Sequence, residues 1–199
     1  DAGIGLLQGL AELAPVGMRF GALVAAGQEG ALPRSAAIAP IVAPGWAAGR
    51  AGRVFYEQAL APGRLRAADV ELLHGAAYVT PVGWDGPSVV TIHDVITVSR
   101  PEWCSWHNVV HYRMAMTYSA RRADAVIAPS EFAGREVVEH LGVDAGRVHV
   151  APLGVNARFR PATAAEVARV RERYRLPERY LLCVGNVEPR KNLAAVVAA

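Results

Sequence analysis

Short apolar runs alternate with helical segments along this chain. Continuous apolar runs are typical of a parallel sheet that is covered on both faces, because neither face of such a strand meets water. The alternation therefore predicts an α/β fold with a Rossmann-like, doubly wound parallel sheet. The runs predicted as strands cover residues 19–26, 69–75, 88–94, 123–130, 147–154 and 179–185.

The segments between these runs carry helix signals. Ser130 is predicted as an N-cap for a helix that ends at Gly142. Thr163 and Glu166 have the spacing of a capping box at the start of another helix. No element is predicted over residues 28–68, which are rich in Ala, Gly and Pro. The predicted helices are 4–14, a long one within 102–122, 131–142, 163–176 and one that begins near residue 190.

Composition narrows the class of protein. With 199 residues and 52% hydrophobic content the chain can bury a core, and no apolar stretch approaches the roughly 20 residues that span a bilayer. The net charge of +3, without a long basic block, fits a phosphate-bearing ligand or an anionic membrane surface and does not by itself indicate nucleic acid. Two distant cysteines, Cys104 and Cys183, favour a reduced, cytoplasmic protein.

A change of composition near residue 155 predicts a domain boundary. Gly, Asn, Arg and Pro follow an apolar run there, as in a connection between domains. We predict an N-terminal domain over 1–155 that lacks its first strand, a crossing and helix over 156–178, and the beginning of a C-terminal domain over 179–199. Both ends are interpreted as cuts, since the chain starts without Met and stops inside a predicted helix.

Polar side chains follow several of the predicted strands. Ligands of an open parallel sheet bind at the carboxyl ends of its strands, so these positions are candidates for a site. His93 and Asp94 end one run, and Ser130 and Glu131 follow another. The alternatives are a sheet-edge hydrogen bond for His93 with an Asx turn at Asp94, and simple N-capping by Ser130. His74 is interpreted as structural.

The segment GNVEPRKNL, 185–193, combines Gly185 with two cations, Arg190 and Lys191. Pro189 suits a first helical turn, so both cations are predicted to lie where the helix dipole is already positive. That placement indicates a bound multiply charged anion, which Gly185 would let the backbone approach closely. The alternative is that both side chains are solvated.

Two weaker patterns complete the candidates. The opening AGIG, which contains Gly3 and Gly5 and runs into a helical pattern, is a candidate phosphate-cradling loop, although a lone GxG is weak evidence and no strand precedes it. His107 and His111 lie four residues apart on a predicted helix. Two ligands do not make a metal site and no further metal motif accompanies them, so no metal is predicted.

Five blocks in order carry a family resemblance. AGIG, TIHDVITVSRPEW, SARRADAVIAPSEFAGREVVEHLGV, RVHVAPLGVNARFRP and YLLCVGNVEPRKNL resemble segments of the retaining, GT-B-fold glycosyltransferases of family 4. The resemblance implies two Rossmann-like domains, the first binding mainly the acceptor and the second mainly a nucleotide-sugar donor. It implies sugar transfer with retention of configuration, and no cofactor or obligatory metal.

The chain differs from the family's pattern at several positions. The chain departs from the family at AGIGLL, which lacks an Arg-Tyr pair, and at Leu153 and Asn156. It ends before the family's paired glutamates, so the isolated chain is expected to be inactive.

The resemblance also implies roles for the candidate residues. The implied roles are catalysis for His93 and Asp94, donor binding for Gly3, Gly5, Gly185, Arg190 and Lys191, and acceptor-side contacts for Ser130 and Glu131.

Three functions remain open from the sequence. The favoured one is a glycosyltransferase, with a family bias toward mannose, acting on a glycan or lipid-linked acceptor; a lipid-linked acceptor would bring the protein to the inner face of the membrane. The alternatives are a GT-B-type sugar-nucleotide epimerase and a non-catalytic, Rossmann-like interaction module. No nucleic-acid partner is expected.

Overall fold

The protein is described by a computed structural model that covers residues 2–13, 17–156, 158–188 and 191–198. The chain divides into two compact units, Asp1–Gly154 and Val155–Ala199. Among the described helices, none combines the length and the apolar character that crossing a membrane requires.

The first unit contains two parallel sheets, which confirms the predicted α/β class. Strand β1 (Phe20–Val24) pairs with β2 (Ile38–Val42) in the smaller sheet. The larger sheet has four parallel strands in sequential order, β3-β4-β5-β6. Their bounds are β3 Leu73–Gly75, β4 Ser88–Thr91, β5 Ala125–Ala128 and β6 Val148–Val150.

Strand β2 falls in the segment for which no element was predicted. Pro40 lies in its middle, opposite Ala22 of β1. Proline is tolerated on edge strands, and β1 is the one strand that pairs with β2 among the described residues. Pairing with a distant segment, rather than local propensity, therefore makes residues 38–42 a strand.

The three helices predicted in the first unit are all present, and the described residues also form helices that were not predicted. In the segment 28–68, α2 (Arg50–Phe55), a single π-turn over Tyr56–Leu60 and α3 (Ala61–Ala67) follow one another without a break. Pro62 lies in the first turn of α3, and because proline has no backbone N–H, the continuous helical segment lacks one hydrogen bond where α3 follows the π-turn. The helices are α1 Ala2–Leu13, α2 Arg50–Phe55, α3 Ala61–Ala67, α4 Ile96–Ser99, α5 Trp106–Arg122 and α6 Glu131–Leu141.

The predicted glycine loop near the start is helical, so that prediction is wrong in conformation. Gly3 and Gly5 both lie inside α1. Ile4, Leu7 and Leu10 are partly buried at three-residue spacing. An apolar stripe of that period favours a helix, and its burial outweighs the cost of two glycines in the first turn.

The core of the first unit lies between the larger sheet and helices α5 and α6. Its side chains are almost completely excluded from solvent, and they come from inward-facing positions of the strands and of one face of each helix. The central members are Val90, Ile92, Val126, Met116, Ala120, Val137 and Leu141.

A buried serine ties the loop between β3 and β4 to this core. The Ser119 hydroxyl accepts a hydrogen bond from the backbone N–H of Thr80 (2.9 Å) and donates one to the carbonyl of Ala115 (2.7 Å). Arg122 donates to the carbonyl of Trp84 in the same loop (3.0 Å). Two residues of α5, Ser119 and Arg122, thus hold the loop over 76–87 by hydrogen bonds.

The second unit contains α7 (Ala164–Tyr174) and α8 (Leu193–Ala198). The capping box at Thr163 and Glu166 is confirmed. Hydrogen bonds from Arg160 and then Thr163 lower the pKa of Glu166 from 4.5 to about 2. Because the folded pKa is depressed, this stabilisation is present above pH 4.5 and is lost as the pH falls toward 2.

The predicted strand over 179–185 is absent. This segment has no regular structure, and Leu181, Leu182 and Val184 are largely exposed. Cys183 is likewise exposed and unpaired. A strand needs a neighbour for its backbone hydrogen bonds, and the described residues of the second unit contain none. The apolar run by itself therefore does not make this segment a strand.

Candidate functional site

The candidate site lies at the carboxyl ends of β3 and β4. Beyond Thr91, the last residue of β4, the backbone N–H of the buried Ile92 still donates to the carbonyl of Ile127 (2.9 Å). This bond continues the pairing with β5 one residue past the strand. His93 and Asp94 therefore emerge at the edge of the sheet, where the sequence placed them.

The His93 ring is half-buried and has a defined partner. Its Nε2 lies 3.2 Å from the carbonyl oxygen of Ala76. A carbonyl only accepts, so Nε2 carries the proton in the neutral ring and Nδ1 is the acceptor atom. This bond is the sheet-edge hydrogen bond that the structural interpretation of His93 foresaw. It also sets the orientation of the ring, which a catalytic role requires.

Asp94 forms the predicted Asx turn and makes one further contact. Its Oδ1 accepts a hydrogen bond from the backbone N–H of Ile96 (3.2 Å), and its Oδ2 accepts one from the Tyr78 hydroxyl (3.1 Å). Asp94 is exposed. Both carboxylate oxygens are thus engaged in holding the segment that follows β4.

Tyr78 is the member of the site that sequence reasoning missed. Its φ is 67°, a conformation that is rare for a bulky side chain and costs about 1–3 kcal/mol. The ring packs edge-to-face on the rings of His93 and Tyr112 of α5, with ring centroids 5.6 Å and 5.7 Å apart. The backbone N–H of Tyr78 donates to the carbonyl of Thr91 (2.9 Å). No local pattern around position 78 signals this role.

His74 is on β3 and points to a different partner. Its Nε2 lies 2.8 Å from the Thr91 hydroxyl oxygen on β4. Burial lowers its pKa, which favours the neutral ring. These contacts agree with the structural interpretation of His74.

Ser130 and Glu131 follow β5 at the same edge of the sheet. The Ser130 hydroxyl accepts a hydrogen bond from the backbone N–H of Ala133 (3.2 Å), so its role as N-cap of α6 is confirmed. Glu131 is exposed in the first turn of α6, where a negative charge is favourable. An acceptor-side role for either residue stays a prediction.

Ser130→Ala is expected to lower the free energy of unfolding by about 1 kcal/mol, because one N–H at the start of α6 loses its partner. Urea denaturation measures this change, and Ser130→Asp, which retains the cap, is the control. If Ser130 acts only as a cap, both variants keep the wild-type KM for acceptor. A raised KM in both would support an acceptor contact.

The ARRAD segment, residues 120–124, has a structural role. Arg121 donates to the carbonyl of Leu141 at the end of α6 (2.7 Å). Arg147 donates to the carbonyls of Arg121 (3.1 Å) and Ala123 (2.9 Å). These bonds fasten the end of α5 to α6 and to the segment before β6.

The proposed anion site lies in the second unit. Gly185 has a φ of 156°, and a Cβ added there would face open space. Lys191 is exposed, and its backbone N–H donates to the carbonyl of Glu188 (2.9 Å). Pro189 and Arg190 lie outside the described residues.

Lys191 is part of a 3-10 turn that precedes α8, so the prediction that it belongs to the first turn of the helix itself is wrong. Helix α8 begins at Leu193, and Asn192 before it has a φ of 46°. A left-handed residue interrupts the right-handed helical path. Lys191 therefore precedes α8, and its charge does not oppose the helix dipole from within.

Two of the histidines considered as metal ligands already contact other side chains. His111 packs against the Tyr112 ring (5.1 Å), and the side chain of His107 lies outside the described residues. Within the described part of the chain, Glu136, Glu139 and His140 lie close enough together for a cation, and His140 already contacts Glu136 at 3.4 Å. The absence of a metal stays a prediction.

Comparison with known proteins identifies the family. The family model for Glycosyltransferase Family 4 matches residues 12–159. The chain therefore belongs to glycosyltransferase family 4, and the geometry at the ends of β3 and β4 lies inside the matched region.

Curated relatives are mannosyltransferases of Escherichia coli. The chain is 29% identical to the serotype-specific mannosyltransferase WbdA over 132 residues, which are 63% of this chain and 16% of that protein. It is 26% identical to the O-antigen chain mannosyltransferase B over 129 residues, 64% of this chain and 34% of that protein. The chain thus spans well under two thirds of the length of these relatives.

Proposed function

We propose that this chain comprises the acceptor-side domain and the beginning of the donor-side domain of a mannosyltransferase that uses a nucleoside diphosphate sugar and retains the anomeric configuration. Family membership and the two mannosyltransferase relatives support the reaction class and the sugar. The observation that carries the proposal is the joining of His93, Asp94 and Tyr78 at the carboxyl ends of β3 and β4.

The reaction exchanges two bonds at one carbon. The bond from the anomeric carbon to the diphosphate oxygen breaks, a bond from an acceptor hydroxyl oxygen forms on the same face, and the acceptor proton is released. In the proposal His93 lies beneath the transferring sugar, with its ring held by Ala76 and Tyr78. Such preorganisation lowers the barrier because little reorientation is needed at the moment of reaction.

Negative charge grows on the diphosphate as it leaves. Arg190 and Lys191 are proposed to stabilise that charge, an effect that is larger in the transition state than in the bound donor. Gly185 is proposed to let the backbone approach the phosphates. Its backbone conformation and the open space around it support that role.

The direct test is glycosyl transfer by the enzyme that contains this domain. A panel of nucleoside diphosphate sugars is offered with mannose-containing glycans, free or lipid-linked, as acceptors. We expect transfer from the mannosyl donor, with the donor's anomeric configuration retained in the product as read by NMR. Hydrolysis or epimerisation of the donor without a glycan product would contradict the proposal.

Lys191→Ala is expected to weaken binding of the nucleoside diphosphate by about 1.5–3 kcal/mol, the value of a charge-assisted contact. Binding of the nucleoside without phosphates should barely change. Since Lys191 precedes α8, its removal should leave the melting temperature unchanged. Calorimetric titration of the enzyme measures both affinities.

The matched control is Arg169→Ala, which removes another exposed cation, from α7. A general effect of net charge would weaken binding of the nucleoside diphosphate equally in both variants, by no more than a few tenths of a kcal/mol. Unchanged affinity in Lys191→Ala would remove Lys191 from the donor site.

A further inference from the structure

Two side chains of α5 contact the loop that carries Tyr78. The Tyr112 ring packs edge-to-face on the Tyr78 ring, with ring centroids 5.7 Å apart. The Ser119 hydroxyl accepts a hydrogen bond from the backbone N–H of Thr80 (2.9 Å). Residues seven apart on a helix share one face and lie about 10 Å apart along its axis. Tyr112 and Ser119 therefore hold the loop at two successive points on one face of α5.

Ser119 and Thr80 are both withdrawn from solvent. The exposed fraction is 0% for Ser119 and 4% for Thr80. A buried N–H that loses its partner destabilises a fold, and solvent does not reach this position to replace the hydroxyl. The same hydroxyl donates to the carbonyl of Ala115 (2.7 Å), which fixes its orientation. The bond from Thr80 to Ser119 thus places the backbone two residues beyond Tyr78.

Tyr78 needs such support because its backbone is strained. Its φ of 67° is a conformation that a bulky residue keeps only where the surrounding contacts enforce it. Those contacts lie on both sides of the residue. The backbone N–H of Tyr78 donates to the carbonyl of Thr91 (2.9 Å), and Thr80 is bonded to Ser119. Without Ser119 the segment is free to relax toward an ordinary backbone conformation, and the Tyr78 ring turns with it.

Tyr78 also contacts the two residues that follow β4. Its ring packs on the His93 ring, with ring centroids 5.6 Å apart, and its hydroxyl donates to the Asp94 carboxylate (3.1 Å). The Ala76 carbonyl, which accepts from Nε2 of His93, lies two residues before Tyr78 in the same loop. One strained residue therefore connects α5 to both groups of the site.

We infer that Tyr112 and Ser119 are positioning residues for the reaction at His93. They act through Tyr78, which orients the His93 ring and the Asp94 carboxylate, and not by touching the substrate. The inference rests on the proposed function, in which His93 lies beneath the transferring sugar. It gives one face of α5 a role in the reaction in addition to its role in the core.

Ser119→Ala and Tyr112→Leu test this role in the enzyme that contains the domain. Each is expected to lower kcat about tenfold, because a small displacement of a reacting group is costly. The Kd of the nucleoside diphosphate should change by less than about twofold. Tyr112→Phe retains the ring and should retain the wild-type kcat. The control for lost stability is Val137→Ala, which truncates a fully buried side chain of the same core on α6 and should also retain kcat.

The 199-residue chain provides a second measurement that does not need turnover. NMR of the His93 ring nitrogens, at a pH where the ring is neutral, reports which nitrogen carries the proton. We expect the Nε2–H form in the wild type and in Val137→Ala. A mixture of both forms is expected in Ser119→Ala and Tyr112→Leu, because the Ala76 carbonyl and the Tyr78 ring move. Circular dichroism and the melting temperature show whether each variant is folded.

Several results would overturn the inference. A wild-type kcat in both folded variants does so, and so does a wild-type His93 tautomer in both. An equal loss of kcat in Val137→Ala also does so, since lost stability then explains the effect. If Ser119→Ala does not fold, Tyr112→Leu supplies both measurements, because Tyr112 is only half-buried. If the wild-type enzyme transfers no mannose, the proposed function fails, and the NMR spectra still decide whether α5 orients His93.

Discussion

His93→Ala in the enzyme that contains this domain is expected to lower kcat by about a hundredfold or more, while the Kd of the nucleoside diphosphate changes by less than about threefold. The ring is oriented by the Ala76 carbonyl and the Tyr78 ring at the sheet edge. A group placed beneath the sugar acts mainly on the transition state, so the loss should appear in kcat. Steady-state kinetics and calorimetric titration separate the two quantities.

His74→Ala is the matched control for this experiment. His74 is also a half-buried histidine in the same sheet, but its partner is the Thr91 hydroxyl and it has no assigned contact with substrate. We expect this variant to be less stable and to retain kcat. A normal kcat in His93→Ala would leave its sheet-edge hydrogen bond as the whole role of His93.

Ile92→Ala is expected to lower the free energy of unfolding by about 2–5 kcal/mol, a large share of the stability of a domain of this size. The Ile92 side chain is fully buried in the core between the larger sheet and α5 and α6. Truncation removes apolar contacts and leaves a cavity that the surrounding β-structure cannot close. Urea denaturation followed by circular dichroism measures the loss.

Ile92→Val tests the same site with one methylene removed. Its expected cost is about 0.5–1.5 kcal/mol. A loss below about 1 kcal/mol in Ile92→Ala would contradict close packing at this position. Because Ile92 precedes His93 directly, NMR of the His93 ring in Ile92→Val also shows whether packing beneath the site holds the ring in place.

Part of the candidate site could be predicted from local pattern. His93 and Asp94 follow a buried apolar run, and the rule that ligands gather at strand ends selected them. Tyr78 could not be found this way. Its hydroxyl reaches Asp94, 16 residues away, across a loop that is bonded to β4 through Thr91 and to α5 through Ser119 and Arg122.

Two segments whose structure differs from the prediction also depended on contacts with distant parts of the chain. The run over 179–185 looks like a buried strand, yet it has no pairing partner among the described residues and stays irregular. The segment 38–42 looks broken by Pro40, yet it pairs with β1. In both cases the outcome depended on a neighbouring strand that the local sequence does not specify.

The sequence by itself determined the features that depend on contacts within a few residues. The N-cap at Ser130, the left-handed stop at Gly142 and the capping box at Thr163 and Glu166 all formed as predicted, because each is completed inside one helical turn. The α/β class followed from the alternation of apolar and helical segments. Only the tertiary structure decided which strands pair, how Tyr78 joins His93 and Asp94, and which face of α5 meets solvent. Those outcomes depend on hydrogen bonds and burial between segments far apart in the chain, which no short window of sequence contains.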